Sequence, residues 1–208
     1  MSAFAYPVGN SLYLNITNRC TNDCPFCIRN LSPKFDRKHE LWLDREPTAD
    51  ELIAAIGDPT RYEQIVFCGY GEPTIRLDVL KAIASKLKSL PPTNYPLPPI
   101  IRLDTNGHGN LFWGKNILPE LKGLVDKLSV SLNAQDAETY NRLCRPLQGP
   151  KAYNAVIDFI KGAKRYIPDV EATIVDLPGV DKEKCRQIAA ELGVQFRVRP
   201  YYEEQYVR

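Results

Sequence analysis

"SLYLNITNRCTNDCPFC", residues 11–27, joins an alternating apolar–polar run to three cysteines, Cys20, Cys24 and Cys27, within eight positions. The alternation over 11–17 reads as a strand, so the thiols follow a strand's carboxyl end. Five further stretches rich in β-branched and aliphatic residues also read as strands: "EQIVFCG" (63–69), "PIIRLDT" (99–105), "KLSVSLN" (127–133), "VEATIVDL" (170–177) and "VQFRVR" (194–199). Amphipathic helical stretches lie between them. "TADELIAAIG" (48–57) opens on the capping pair Thr48 and Glu51, and "RLDVLKAIASKLKSL" (76–90) sets Leu77, Leu80, Ile83 and Leu87 on one face. "ILPELKGLVD" (117–126) is shorter. "DAETYNRLC" (136–144) has Asp136 as its N-cap, "AYNAVIDFIKGAKRY" (152–166) adds a second helix to the same connection, and "DKEKCRQIAAELG" (181–193) ends on Gly193.

Six strand–helix repeats predict an α/β fold with a parallel sheet and right-handed crossovers. A closed eight-stranded barrel uses about 250 residues. Six units in 208 residues therefore predict a partial (β/α)6 parallel barrel or an open doubly wound sheet, in one domain spanning 1–208. Residues 28–47, directly after the cysteines, read as a lid or substrate loop, and the proline-rich 91–99 as a connector.

Composition narrows the function classes. The chain is 44% hydrophobic and 25% charged, as in ordinary globular proteins. No apolar run approaches the roughly 18 residues of a membrane span. A net charge of +2, from 27 basic and 25 acidic residues, leaves no DNA-binding footprint. No secretory signal is visible, and half of the six cysteines crowd into one segment. Metal or cluster ligation in a reducing cytoplasm is therefore favoured over a disulfide framework. Cys68, Cys144 and Cys185 read as small buried apolar residues.

Ligands gather at the carboxyl ends of parallel strands. There the chain presents the three cysteines, then "CGYGEPT" (68–74), "DTNGHGN" (104–110), "SLNAQD" (131–136), "DLPGVD" (176–181) and "RPYYEEQY" (199–206). Zinc is one reading of the thiols, with His39 or Cys68 as fourth ligand, although no second cysteine hook exists. An iron–sulfur cluster with one iron left free for another ligand is the other.

Cys20-x3-Cys24-x2-Cys27, with aromatic Phe26 before the last cysteine, resembles the signature of the radical S-adenosylmethionine (radical SAM) superfamily. "GYGEP" resembles that family's glycine–glycine–glutamate motif, with Tyr70 at the middle position. "DTNG" and "SVSLNAQDAETYNRLCRP" (129–146) also look like family segments. The resemblance implies a [4Fe–4S] cluster on Cys20, Cys24 and Cys27 and S-adenosylmethionine bound at its open iron. Glu72 and nearby backbone would receive the cofactor's amino group, with Gly69 and Gly71 letting it approach. Thr105 and Asn106 lie in the next cofactor segment. Ser131 and Asn133 match the ribose contacts, and Arg142 or Arg145 the carboxylate partner. Phe26 joins the cofactor set, and Leu177 lies where relatives contact adenine. The implied chemistry is reductive cleavage of the cofactor to a 5′-deoxyadenosyl radical that abstracts hydrogen from a substrate, with flavodoxin or ferredoxin as electron donor.

Nearly the whole chain is taken up by this core, with no auxiliary-cluster domain, which favours a small-molecule substrate. The opening residues and "LWLDREPT" resemble small TatD-associated radical SAM proteins, some of which are linked to queuine release from queuosine-type nucleotides. A nucleotide would need cationic and stacking partners. Candidates are Arg29, Lys34, Arg37, Lys38, Trp42 and Arg45 on the first loop, and Arg197, Arg199 and Tyr201 near the end. Each loop charge on its own reads as part of a solvated face, and His108 as either a proton carrier or a turn residue. The alternatives are a glycyl-radical activating enzyme, a peptide- or RNA-modifying enzyme, or a non-catalytic iron–sulfur or zinc protein.

Overall fold

Gly9, with φ of +57°, and Asn10 reverse the chain in a two-residue hairpin. Glycine at the first turn position suits a type II′ turn, whose twist matches that of the strands it joins. The computed structural model describes residues 3–31, 34–35, 38–90 and 99–201. The hairpin pairs β1 (Ala5–Val8) antiparallel with β2 (Ser11–Leu14). Beyond the cysteines lie a short α1 (Ile28–Leu31) and a small antiparallel pair, β3 (Lys34–Phe35) and β4 (His39–Glu40). There follow α2 (Ala49–Ile56), β5 (Gln64–Phe67), α3 (Leu77–Lys88) and β6 (Ile100–Thr105). Two short helices, α4 (Gly109–Trp113) and α5 (Leu118–Leu121), lead to β7 (Lys127–Ser131). The chain continues through α6 (Ala137–Cys144), α7 (Ala152–Ala163), β8 (Asp169–Val175), α8 (Lys182–Leu192) and β9 (Gln195–Arg199).

The main sheet runs β1-β2-β5-β6-β7-β8-β9, and every pair after the first is parallel. The six expected strands are its six parallel ones, and the arrangement is consistent with a partial barrel. Thr48 and Glu51 cap α2 reciprocally, Asp136 caps α6, and Gly193 closes α8 in the left-handed region. Several features differ from expectation, among them α1, β3 and β4 within the stretch read as a loop. β1 is additional. The helix expected over 117–126 contracts to 118–121, because Lys122 is extended and Gly123 has φ of +75°. Residues 109–113, read as loop, form α4. No helix among the described residues is long and apolar enough to cross a membrane.

Strand alternation sorts the two faces of the sheet. Leu14, Phe67, Leu103, Val130, Ala172 and Ile174 are fully buried in the main core with the helices. Their neighbours Tyr13, Arg102, Asp104, Ser129, Ser131, Glu171, Arg197 and Arg199 point to the opposite, inner face. Cys144 and Cys185 are buried in the core as expected, whereas Cys68 is half-buried and outside it. Cys68 shares the inner face with Arg102, Asp104 and Arg199, the charges that act on its thiol.

The second half of the 28–47 loop is strapped down. Asn15 donates Nδ2 to Leu41 O at 2.7 Å, and Asn18 both donates to and accepts from the Leu43 backbone. Leu41 packs with Tyr6 and Tyr70 in a small second core. Before it, Glu40 O accepts from Ala3 N at 2.6 Å, and Ile28 and Phe35 pack against the same second core. Arg37 and residues 91–98 and 202–206 lie outside the described residues.

Candidate functional site

The three cysteines sit on one loop at the carboxyl end of β2, all half-buried. Cys27 N donates to Cys24 O at 3.0 Å, closing a tight turn around Phe26. Arg29 reaches back to Asn18 O, Asn22 O and the Asp23 carboxylate, so it staples this loop and is not the solvated charge expected. The loop is also sewn to the end of α6: Asp23 N donates to Cys144 O at 3.0 Å and Leu147 N to Thr21 O at 2.9 Å. Burial pushes the Cys20 thiol up to about 12 and raises Cys27. Cys24 is raised by its hydrogen bond toward Cys144 and by burial, while Arg29 opposes the rise at all three thiols. Ligation would draw these protons off, since thiolates are the ligating form.

Glu72 anchors the next two loops. Its side chain is buried and accepts from Thr74 N (3.1 Å), Thr74 Oγ1 (2.7 Å), Thr105 Oγ1 (2.6 Å) and Asn106 N (2.7 Å). Three of these donors converge on Oε1, whereas Asn106 N alone reaches Oε2, which keeps an acceptor position. Burial raises the Glu72 pKa, against the pull of these donors. The side chain thus braces the β5 and β6 ends and leaves room on Oε2 for one further donor. The glycines likewise serve the chain itself. A Cβ at Gly69 would stand 2.2 Å from Asn15 Oδ1, and one at Gly71 2.3 Å from Thr17 O, because the β5 loop presses on the β2 loop. Tyr70, in the second core, has its ring edge-on to Trp42, and its N–H donates to Asn15 Oδ1 at 3.3 Å.

Thr105 and Asn106 belong to the same brace. Asn106 Nδ2 donates to Thr21 Oγ1 at 2.7 Å and lies 3.7 Å from Cys20 Sγ. His108 is neither exposed nor without partners: its Nδ1 bonds Thr21 Oγ1 and its Nε2 the Tyr140 hydroxyl, both at 3.0 Å. Tyr140 also accepts from Asn22 Nδ2 at 3.1 Å. A continuous polar network therefore runs from Glu72 behind the cysteine loop to α6. Neither His108 nor Tyr140 was legible as its hub, because their partners are 87 and 32 residues from His108.

The ends of β7 and β8 differ. Asn133 is buried with φ of +58°, and its Oδ1 has no partner among the described residues. An asparagine accepts that conformation more readily than most residues, and an orphaned buried acceptor has room for a donor from elsewhere. Ser131 Oγ accepts from Arg199 Nη2 at 3.1 Å. Phe26 and Leu177 line a cavity of about 230 Å³ with Pro25, Arg142, Leu143, Pro178 and Tyr201. Arg142 lines that cavity and Arg145 does not. The Arg145 backbone caps α6 at φ +46° and accepts from Asp23 N, beside the cysteine loop.

The residues present fit the expected groups. Three thiols on one loop, a neighbouring cation and an amide N–H beside Cys20 Sγ suit a cluster held by three cysteines. The orphaned Asn133 acceptor and the Phe26–Leu177 cavity suit a nucleoside. Among the described residues no three His, Cys, Asp or Glu side chains form a ligand set for a single ion. His39, the alternative zinc ligand, has its ring against Tyr6.

A model of the radical SAM superfamily matches residues 14–192. No curated protein matches the sequence. Among solved structures, SuiB of Streptococcus suis is similar at 15% identity and a TM-score of 0.58, over 88% of this chain and 37% of that one. A radical SAM methyltransferase from Sphaerobacter thermophilus is similar at 16% identity and a TM-score of 0.48, over 94% of this chain and 68% of that one. This chain thus spans little more than a third of SuiB, and the likeness to it is one of fold. The superfamily characteristically binds a [4Fe–4S] cluster and S-adenosylmethionine. The family match runs from the end of β2, through the cysteine loop and the Glu72 brace, to the end of α8, and the chain belongs to the radical SAM superfamily.

Proposed function

We propose that this chain cleaves S-adenosylmethionine reductively to act on a small polar substrate held against the inner face of its sheet. The observation that carries the reading is the cysteine triplet, held on one loop by Arg29 and by the network through Asn106. Cys20, Cys24 and Cys27 would hold the cluster. Glu72 and the nearby Gly69–Gly71 backbone would receive the cofactor's amine, and Arg145 its carboxylate. Asn133 and Ser131 would take the ribose, and Phe26 and Leu177 the adenine. When bound, the cluster supplies the electron that releases methionine and a 5′-deoxyadenosyl radical, the hydrogen-abstracting species. The chain's own part is to orient the nucleoside and exclude water with the buried brace.

In this reading the chain is a cytoplasmic enzyme that takes its electron from a flavodoxin- or ferredoxin-type donor. Its substrate class is a modified nucleoside or nucleotide, and queuine release from a queuosine-type nucleotide is the specific case that the sequence resemblance suggests. Support comes from the polar inner face, where Tyr6, Tyr13 and three arginines stand together. Anaerobic reconstitution should give protein with iron and sulfide that, with dithionite, converts S-adenosylmethionine to 5′-deoxyadenosine and methionine. Alanine at Cys20, Cys24 or Cys27 should abolish both cluster and cleavage. Bound zinc in place of iron and sulfide, or no cleavage with nucleoside candidates present, would overturn the reading.

A further inference from the structure

The inner face of the sheet carries a ledger of charge that does not balance. Arg102 pairs with Asp104 on β6 at 2.9 Å. Lys127 on β7 pairs with Asp169 on β8 at 3.3 Å. Arg197 on β9 takes the buried Glu171 of β8 through two hydrogen bonds, at 2.7 and 3.0 Å. Arg199, one step further along β9, is the fourth cation of this face and has no carboxylate partner among the described residues. Its Nη2 donates to the neutral Ser131 hydroxyl at 3.1 Å, and its Nε is buried with no hydrogen-bond acceptor among the described residues.

Position adds to composition. Arg199 is the last residue of β9 and pairs in register with Val175, the last of β8, so it stands at the carboxyl ends of the strands. Arginine presents a planar fork of donors that matches carboxylate or phosphate, and a buried N–H left empty is costly.

We infer that Arg199, with Ser131 beside it, is the anchor for an oxyanion of the substrate, a carboxylate or a phosphate. This rests on the radical SAM reading for the identity of the site, and it specifies the charge of what enters. The other three cations of the face are neutralised from within and set its shape, whereas Arg199 is left for the ligand.

The test uses cluster-loaded protein titrated calorimetrically with inorganic phosphate, with acetate and with S-adenosylmethionine, in wild type, Arg199→Gln and Arg199→Lys. At least one of the two anions should bind wild type, and which one identifies the oxyanion. Arg199→Gln should weaken that binding by about tenfold or more, with Arg199→Lys intermediate, as expected for loss of a charge-assisted hydrogen bond. S-adenosylmethionine should bind all three proteins within about twofold. Equal anion binding by wild type and Arg199→Gln, or binding of neither anion to wild type, would overturn the inference. So would a matching loss of S-adenosylmethionine affinity, which would make the oxyanion the cofactor's own. Failure of the radical SAM reading would show separately, as absent iron and sulfide or absent cofactor cleavage in wild type.

Discussion

The two halves of the strand-end rim are built on opposite plans. Around β2, β5 and β6, most buried polar groups answer one another: Glu72 holds four donors, Asn106 bridges to Thr21, and His108 spans Thr21 and Tyr140, with Asn22 Oδ1 left over. Around β7, β8 and β9 the chain leaves Asn133 Oδ1 and Arg199 Nε without partners among the described residues, and a cavity lies at Phe26 and Leu177. The first half holds itself in shape, and the second is shaped for something else. An unfilled buried polar atom costs stability, so a rim that leaves some open needs a rigid partner half.

Removing Glu72 breaks the closed half most severely. Glu72→Ala strands four donors in a buried site and should cost about 3 kcal/mol or more. Urea denaturation of the metal-free protein measures this, and a loss under about 0.5 kcal/mol would mean the brace does not hold the rim together.

His108 gives that half a pH signature. Burial lowers its pKa from 6.5 to about 4, so the unfolded chain binds the extra proton first as pH falls. Stability should be full above about pH 6.5, fall toward pH 4 and then level off, by up to about 3 kcal/mol. His108→Gln should flatten that part of the profile in chemical denaturation run across the window. An unchanged slope would show that the imidazole is not held neutral.

Gly71→Ala tests how closely the two loops of the closed half approach. A Cβ 2.3 Å from Thr17 O and 2.6 Å from Arg19 O meets backbone on both sides, and should cost about 1–3 kcal/mol of stability. Gly71 is not in the left-handed region, so backbone conformation gives alanine no penalty there and any loss reports the contact. A loss under about 0.5 kcal/mol would show that the two loops yield at this point.

The smallest effect belongs to the open half. Asn133→Gly should raise stability by up to about 1 kcal/mol through relief at φ +58°, while S-adenosylmethionine binding to cluster-loaded protein weakens severalfold. A variant that is more stable and binds equally well would remove Asn133 from the ligand site. Opposite signs in stability and binding are what separate the open half from the closed one.

Much of this was written along the chain. The six parallel strands, the Thr48–Glu51 capping box, the Asp136 cap and the Gly193 terminus are local patterns, and local patterns survive without knowledge of the fold. "VGNS" at 8–11 also carries a hairpin signal, a glycine–asparagine turn between two strand-like runs. Residues 109–113 were less legible, because Gly107, Gly109 and Asn110 favour a turn, and α4 packs Gly109 closely against Ile117.

The site divides the same way. The cysteine spacing is a property of one short loop, so sequence alone carried the triplet and with it the resemblance to the radical SAM superfamily. Only the tertiary structure decided what its neighbours do. It turned Glu72, Gly69 and Gly71 inward to the protein, made Arg29 a staple and His108 a hub, and brought Cys68 to the inner face. It also showed that Arg199 is the inner-face cation that no acid answers among the described residues. Those roles depend on which groups meet across tens of residues, and hydrogen bonds and charge pairs are decided by distance in space, which spacing along a chain does not record.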